Sequence, residues 1–275
     1  MRKTVLITGT SSGIGRSMVE HFAEANWNVA ATMRSPDKHQ DLANLDNVKL
    51  YKLDVADKAS IKEAIKAAIK DFGKIDVVVN NAGYGAIGIF EKATDEQIRK
   101  QFDVNVFGVM NVIREILPHF RERKDGTIIN ITSIGGLITF PIYSVYHATK
   151  WAVDGFAESL HFELKPLGIR VKNIEPGAIK TDFYGRSQDL FMNSDITDYD
   201  EYEKVCLANI QSVAANAAPP GLVAKKVLEA ANSKSFKLRY PVGNQTPLLL
   251  FIRRILPNSW FFPIIRNVFE KGFRK

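Results

Sequence analysis

The chain has a single cysteine, Cys206, in 275 residues, which excludes a disulfide framework and a cysteine-based zinc site. No metal site is expected. So little cysteine fits a reducing compartment, and the expected location is cytoplasmic. Long hydrophobic runs are absent too: none approaches the roughly 18 apolar residues of a membrane-spanning helix. The apolar stretch after Arg2 and Lys3 is too short for a signal peptide. Acids are scarce in one region only. Residues 234–275 carry nine basic side chains and one acid, Glu270, whereas the other 233 residues carry 28 basic and 29 acidic groups. The formal net charge of +7 therefore belongs to the C-terminal tail, and no fold-wide basic face is available for nucleic acid. With 45% hydrophobic and 24% charged residues, the chain has the balance of a globular protein with a sizeable core.

Strand-like apolar runs occur at 5–7, 28–32, 48–53, 75–79, 127–131, 169–174 and 236–240. Helical spacing fills 13–26, 60–72, 96–120, 145–164 and the stretch from Pro219 and Pro220 to Asn232. This alternation predicts an α/β fold: a Rossmann-type doubly wound parallel sheet of about seven strands with helices on both faces. Right-handed crossovers then gather the C-terminal strand ends on one edge, where ligands of such sheets bind. Residues 1–245 read as one domain. Within it, 182–218 is polar and acidic, and reads as a substrate lid without a strand. Residues 246–275 form a basic, apolar tail interrupted by Pro247, Pro257 and Pro263. Its apolar side chains need a partner surface, and packing on the domain is expected ahead of contact with an anionic membrane.

The first strand run ends in Thr8-Gly9-Thr10-Ser11-Ser12-Gly13-Ile14-Gly15. Glycines at this spacing allow a tight turn and close approach of backbone to a pyrophosphate on the positive N-terminus of the next helix. Asn80-Asn81-Ala82-Gly83 follows the fourth run, Ser133 the fifth and Pro176-Gly177 the sixth. Tyr146 and Lys150 lie four residues apart, on one helix face. Every one of these motifs falls at the same predicted edge of the sheet.

Taken in order, and with Asp54 and Asn105, these motifs resemble the short-chain dehydrogenase/reductase family over residues 3–240. Ser133 to Leu137 and Thr32-Met33-Arg34 look most like its hydroxysteroid- and retinol-dehydrogenase-like branch. The resemblance implies hydride transfer between a nicotinamide cofactor and a carbonyl or alcohol. Negative charge grows on a carbonyl oxygen as it is reduced, and a donor must protonate it. A free tyrosine titrates near 10, so Tyr146 needs the neighbouring Lys150 cation to favour tyrosinate and act as general acid or base. Ser133 would hold the carbonyl oxygen, Lys150 would also bond the nicotinamide ribose, and Asn105 would order a relay water.

The same resemblance assigns cofactor contacts to Gly9, Thr10, Ser11, Ser12, Gly13, Ile14 and Gly15. Asp54 and Val55 would touch the adenine, and Asn80, Ala82 and Gly83 the adenosine side, although Asn80 reads equally well as a tie between strands. Pro176, Gly177, Ile179 and Thr181 would meet the nicotinamide end. The second strand run ends in Arg34 with no acid before Asp37, which favours NADP(H): an arginine can fork onto a 2′-phosphate that an acid would repel. Arg16 is a weaker second candidate. Leu137, Phe140, Tyr143, Phe183 and Tyr184 form an expected apolar substrate wall, suited to a hydrophobic ketone, aldehyde or alcohol. His147 is assigned no chemistry. Two other readings are a 3-ketoacyl-carrier reductase of lipid synthesis and a non-enzymatic NADP-sensing protein. A homodimer or homotetramer through the helices at 96–120 and 145–164 is expected.

Overall fold

A computed structural model describes residues 2–181, 188–243 and 245–273. Short β-branched runs form the strands, and the amphipathic stretches between them form the returning helices. The first half of the chain runs β1 (Thr4–Thr8), α1 (Gly13–Glu24), β2 (Asn28–Met33), β3 (Val48–Lys52), α2 (Lys58–Phe72), β4 (Val77–Asn80), β5 (Gly85–Ile87), α3 (Asp95–Phe102) and α4 (Gly108–Arg123). It continues with β6 (Gly126–Ile131), α5 (Ser144–Leu164), β7 (Ile169–Pro176), β8 (Gln188–Leu190), α6 (Asp200–Ala215), α7 (Pro220–Asn232), β9 (Arg239–Val242), α8 (Thr246–Ile255) and α9 (Asn258–Phe269).

Seven strands form one parallel sheet in the order β3-β2-β1-β4-β6-β7-β9. Phe22, Met18 and Val227 of α1 and α7 cover one face, and Ile61, Val112 and Ile116 of α2 and α4 belong to the core on the other. The strand order reverses between β1 and β4, so the loops leaving these two strands diverge and open a crevice at the C-terminal edge.

Three elements differ from the sequence reading. The expected helix over 96–120 is divided: Asp103–Phe107 forms a π-helical turn between α3 and α4. Asn105, in the middle of that turn, bonds the backbone of Tyr84, and the wider turn directs its side chain inward. The lid expected to lack a strand contains β8, which pairs in parallel with β5, and the 16-residue α6. Gln97 bonds Asp189 at 2.9 Å, and Lys92 bonds Asp200 and Glu203 at 2.8 Å each, which fastens this segment to the domain. The last strand spans 239–242 instead of 236–240, because its register follows the C-terminal half of β7, with Asn173 opposite Arg239.

The tail forms two helices that pack on the domain. Phe261, Ile265 and Phe269, at four-residue spacing on α9, are buried in one cluster with Cys206 and Ile210 of α6. Pro263 lies within α9 without ending it. No helix among the described residues is long and apolar enough to cross a membrane.

A partly buried charge cluster fastens β9 to the sheet. Arg239 bonds Glu175 at 2.7 Å, Asp154 at 2.9 Å and Glu158 at 2.7 Å. Glu175 is 1% exposed and Asp154 3%. Burial pushes the Glu175 carboxyl up to about 7 although Arg239 opposes the shift. Replacing Arg239 by Met leaves two buried carboxylates without their cation. The expected loss is about 3 kcal/mol, read by urea unfolding.

Candidate active site

A cleft of about 1470 Å³ occupies the edge where β1, β4, β6 and β7 end. Its floor at one end is the glycine turn. Gly9 adopts φ of 70°, and a Cβ there would lie 2.8 Å from the Ala82 Cα; a Cβ on Gly15 would lie 2.1 Å from the Gly9 carbonyl oxygen. Only hydrogen at both positions lets the turn close against the β4 exit. Asn81 completes the closure by donating to the Thr8 and Gly9 carbonyls at 2.8 and 3.0 Å. Ser11, Ser12 and Ile14 line the cleft at the start of α1. Ser12 makes no side-chain cap and the first turn has no acid, so open backbone N–H groups and the helix dipole favour an anion there. The donor set suits a pyrophosphate.

Ser133, Tyr146 and Lys150 all line this cleft. The Ser133 Oγ accepts from the Gly135 N–H at 3.0 Å, which leaves its own proton to donate elsewhere. Lys150 Nζ lies 5.7 Å from the centre of the Tyr146 ring and donates to the Ile131 carbonyl at 3.0 Å. Burial lowers the Lys150 ammonium to about 8, and Asp154, one helical turn away, opposes that shift. A partly buried cation thus sits beside a buried tyrosine at the cleft wall. Among the described residues, no group of three His, Cys, Asp or Glu side chains could hold a metal ion.

Residues 3–190 match the family model of the short chain dehydrogenases. The chain belongs to this family. It is 37% identical to the uncharacterized oxidoreductase YusZ of Bacillus subtilis over 97% of this chain and 98% of that one. It is 33% identical to a 3-ketodihydrosphingosine reductase of Bacteroides thetaiotaomicron, over 87% of each chain. The structure of ElxO with NADP bound superposes with a TM-score of 0.75 and 28% identity, covering 90% of this chain and all of that one.

In this short-chain dehydrogenase, most of the expected cofactor residues reach the cleft. Gly9, Gly15, Asp54, Val55, Ala82 and Gly83 line it, as do Pro176, Gly177, Ile179 and Thr181. Arg34 stands exposed at the rim beyond β2, while Arg16 pairs with Glu20 and Asp41. Thr10 and Gly13 support the turn from behind; the Thr10 hydroxyl donates to the Thr32 carbonyl. The Asn80 side chain does not face the cleft. It donates to Asn130, which donates to Asn173, at 2.9 and 3.1 Å. Side chains alternate along a strand, so Asn80 points into the sheet and serves as the strand tie.

Asn105 is buried and lies behind the cleft wall. It brackets Tyr84 by bonding its N–H and carbonyl at 3.1 and 2.9 Å, and it donates to the Thr149 hydroxyl at 3.2 Å, next to Lys150. Of the expected substrate residues, Phe140 and Tyr143 line the cleft, Leu137 does not, and Phe183 and Tyr184 lie outside the described residues. The sequence reading missed Tyr84, and it left open that the tail could cover the pocket; Leu249, Ile264, Ile265 and Val268 of the tail do form further wall. The apolar spacing of the tail was their only local signal.

His147 has a role that its sequence position did not reveal. Its Nδ1–H donates to the Gly135 carbonyl at 2.9 Å, and its Nε2 accepts from the Phe140 N–H at 3.0 Å. One neutral tautomer satisfies both bonds and joins α5 to the loop carrying Ser133 and Phe140. Burial pushes the ring down to about 4. The unfolded imidazole gains its proton near 6.5 and the folded one near 4, so acidification across that window favours unfolding. The group is expected to cost about 3 kcal/mol between those limits. Chemical denaturation across the window should show a slope that a His147→Asn variant lacks.

Proposed function

We propose that this short-chain dehydrogenase is an NADPH-dependent carbonyl reductase, or alcohol dehydrogenase in the reverse direction, for hydrophobic ketones, aldehydes and secondary alcohols. The observation that carries the reading is the partly buried Lys150 cation beside Tyr146, with the Ser133 hydroxyl in the same cleft as a phosphate-suited turn and an apolar wall. The bound reduced nicotinamide would supply hydride to the carbonyl carbon.

The residues divide the remaining work. Backbone N–H groups at Ser11, Ser12 and Ile14 would hold the pyrophosphate, and Arg34 would hold the 2′-phosphate. Asp54 and Val55 would flank the adenine, and Ile179 and Thr181 the nicotinamide end. Ser133 donates its remaining proton to the substrate oxygen and steadies the charge that grows there. Tyr146 transfers its hydroxyl proton to that oxygen. The Lys150 ammonium lowers the cost of the tyrosinate left behind and remains mostly protonated at neutral pH. Lys150 would also bond the ribose. Asn105, beside Thr149, lies where a relay to Lys150 would start.

Ile265, Phe269, Leu249 and Phe140 give the other end of the cleft its apolar wall. The related 3-ketodihydrosphingosine reductase, by its name, acts on a long-chain ketone, which supports a lipid-like ketone for this cleft as well. Tyr84 adds one polar element: its hydroxyl is buried without a hydrogen-bond partner and its residue faces the cleft, so it can donate to a substrate oxygen.

A Tyr146→Phe variant is expected to lose about 10³-fold in kcat/KM for NADPH-dependent ketone reduction, while NADPH binding by fluorescence persists. Full retained activity would refute the mechanism. An Arg34→Asp variant replaces a charge-assisted fork with a repelling acid, and the kinetic preference for NADPH over NADH should fall at least about tenfold. An unchanged ratio would overturn the cofactor assignment.

A further inference from the structure

The inner stripe of α9 is buried on the domain, but the outer surface of the tail remains apolar and open. On α8, Leu248, Phe251 and Ile255 follow helical spacing and are each about 60% exposed. On α9, Trp260, Ile264 and Val268 form a second exposed stripe, one residue out of phase with buried Phe261, Ile265 and Phe269. Phe262 is exposed as well. This concentration of large apolar side chains on two adjacent short helices exceeds the scattered exposure usual on a soluble surface.

Charge selects the occupant. Residues 246–269 contain three arginines, Arg253, Arg254 and Arg266, and no acid or lysine. Arg254 and Arg266 are exposed. Glu270, at the end of α9, pairs with Arg266 at 3.7 Å, but a second copy docking by the same face would still bring Arg253 and Arg254 towards arginines. Anionic lipid headgroups supply the opposite charge, and the acyl region beneath accepts Trp260, Phe251 and Leu248. The face is also continuous with the cleft: Ile264 and Val268 are exposed outside and line the cavity inside.

We propose that the α8–α9 segment docks on an anionic lipid bilayer, so that the cleft opens onto the membrane surface and draws its apolar substrate from it. The docking half of this proposal does not depend on the proposed reaction; the delivery half rests on that reading.

Flotation of the full chain with phosphatidylcholine vesicles, with and without phosphatidylglycerol, tests the docking directly. Binding is expected to require the anionic lipid and to fall as salt rises. A Phe251→Ser/Trp260→Ser double variant should lose at least about tenfold in vesicle affinity. An Arg254→Gln/Arg266→Gln variant should lose about fivefold per charge removed. Both variants change exposed side chains away from the reacting groups and should keep the wild-type circular dichroism, melting temperature and turnover of a water-soluble ketone. Absence of binding, equal binding to neutral vesicles, or unchanged binding by the variants would overturn the docking. A light-scattering mass that falls only in the α8–α9 variants, with no vesicle binding by the wild type, would identify the face as a self-association surface instead. Vesicle binding by a chain inactive on every ketone would leave the docking standing and refute the reductase reading. Active protein whose turnover of a vesicle-borne ketone is equal in wild type and α8–α9 variants would refute delivery alone.

Discussion

The closure of the β1 exit against the β4 exit is the constraint on which the site depends. Asn81 reaches back to the carbonyls of Thr8 and Gly9, and Thr8 Oγ1 accepts from the N–H groups of Asn81 and Ala82 at 3.0 Å each. Gly15 permits α1 to begin within contact of the Gly9 carbonyl. These bonds aim the α1 N-terminus along the crevice that the strand order opens. A side chain at Gly9 or Gly15 would push the turn away from β4 and separate the phosphate-suited end of the cleft from the residues of β6 and α5.

The proposed chemistry depends on a second, largely buried polar system. Tyr146, Lys150 and Asp154 repeat at four-residue spacing along one stripe of α5. Asn80, Asn130 and Asn173 form a ladder across β4, β6 and β7 that ends on Asp154, where Arg239 also binds. The anion favours a charged Lys150 while burial disfavours it, and the balance leaves the ammonium at about 8. A lysine at its ordinary value would need no such support; one without Asp154 would be pushed lower still. The scaffold of the sheet and the electrostatics of the proposed proton donor are therefore held by the same residues.

Strain and rigidity concentrate on the substrate side. Ile142 is a β-branched residue at φ of 59°, within the loop that presents Phe140 and Tyr143. Its carbonyl is held by the Gly88 N–H at 2.8 Å, and His147 holds Phe140 from the other side. Such a conformation persists only where neighbouring bonds over-determine it, and here they fix the position of the aromatic wall.

Residue order alone settled the sheet class, its layered helices, and the placing of Ser133, Tyr146 and Lys150 at one edge. Hydrophobic periodicity and local turn chemistry act over a few residues and can be read along the chain. The same reading left Asn80 open between a cofactor contact and a strand tie, because strand residues alternate in facing and only pairing partners reveal which side holds the cleft. It also missed β8, which is three residues long and stabilised by a partner about 100 positions away. His147 gained its role from a loop folded back over the start of α5. The tail announced its apolar and basic character in sequence; its division into a buried stripe, a cleft wall and an exposed face came from packing against α6. Local chemistry determined which groups are present, and long-range contacts decided which of them meet, because burial and hydrogen bonding are properties of neighbours in space.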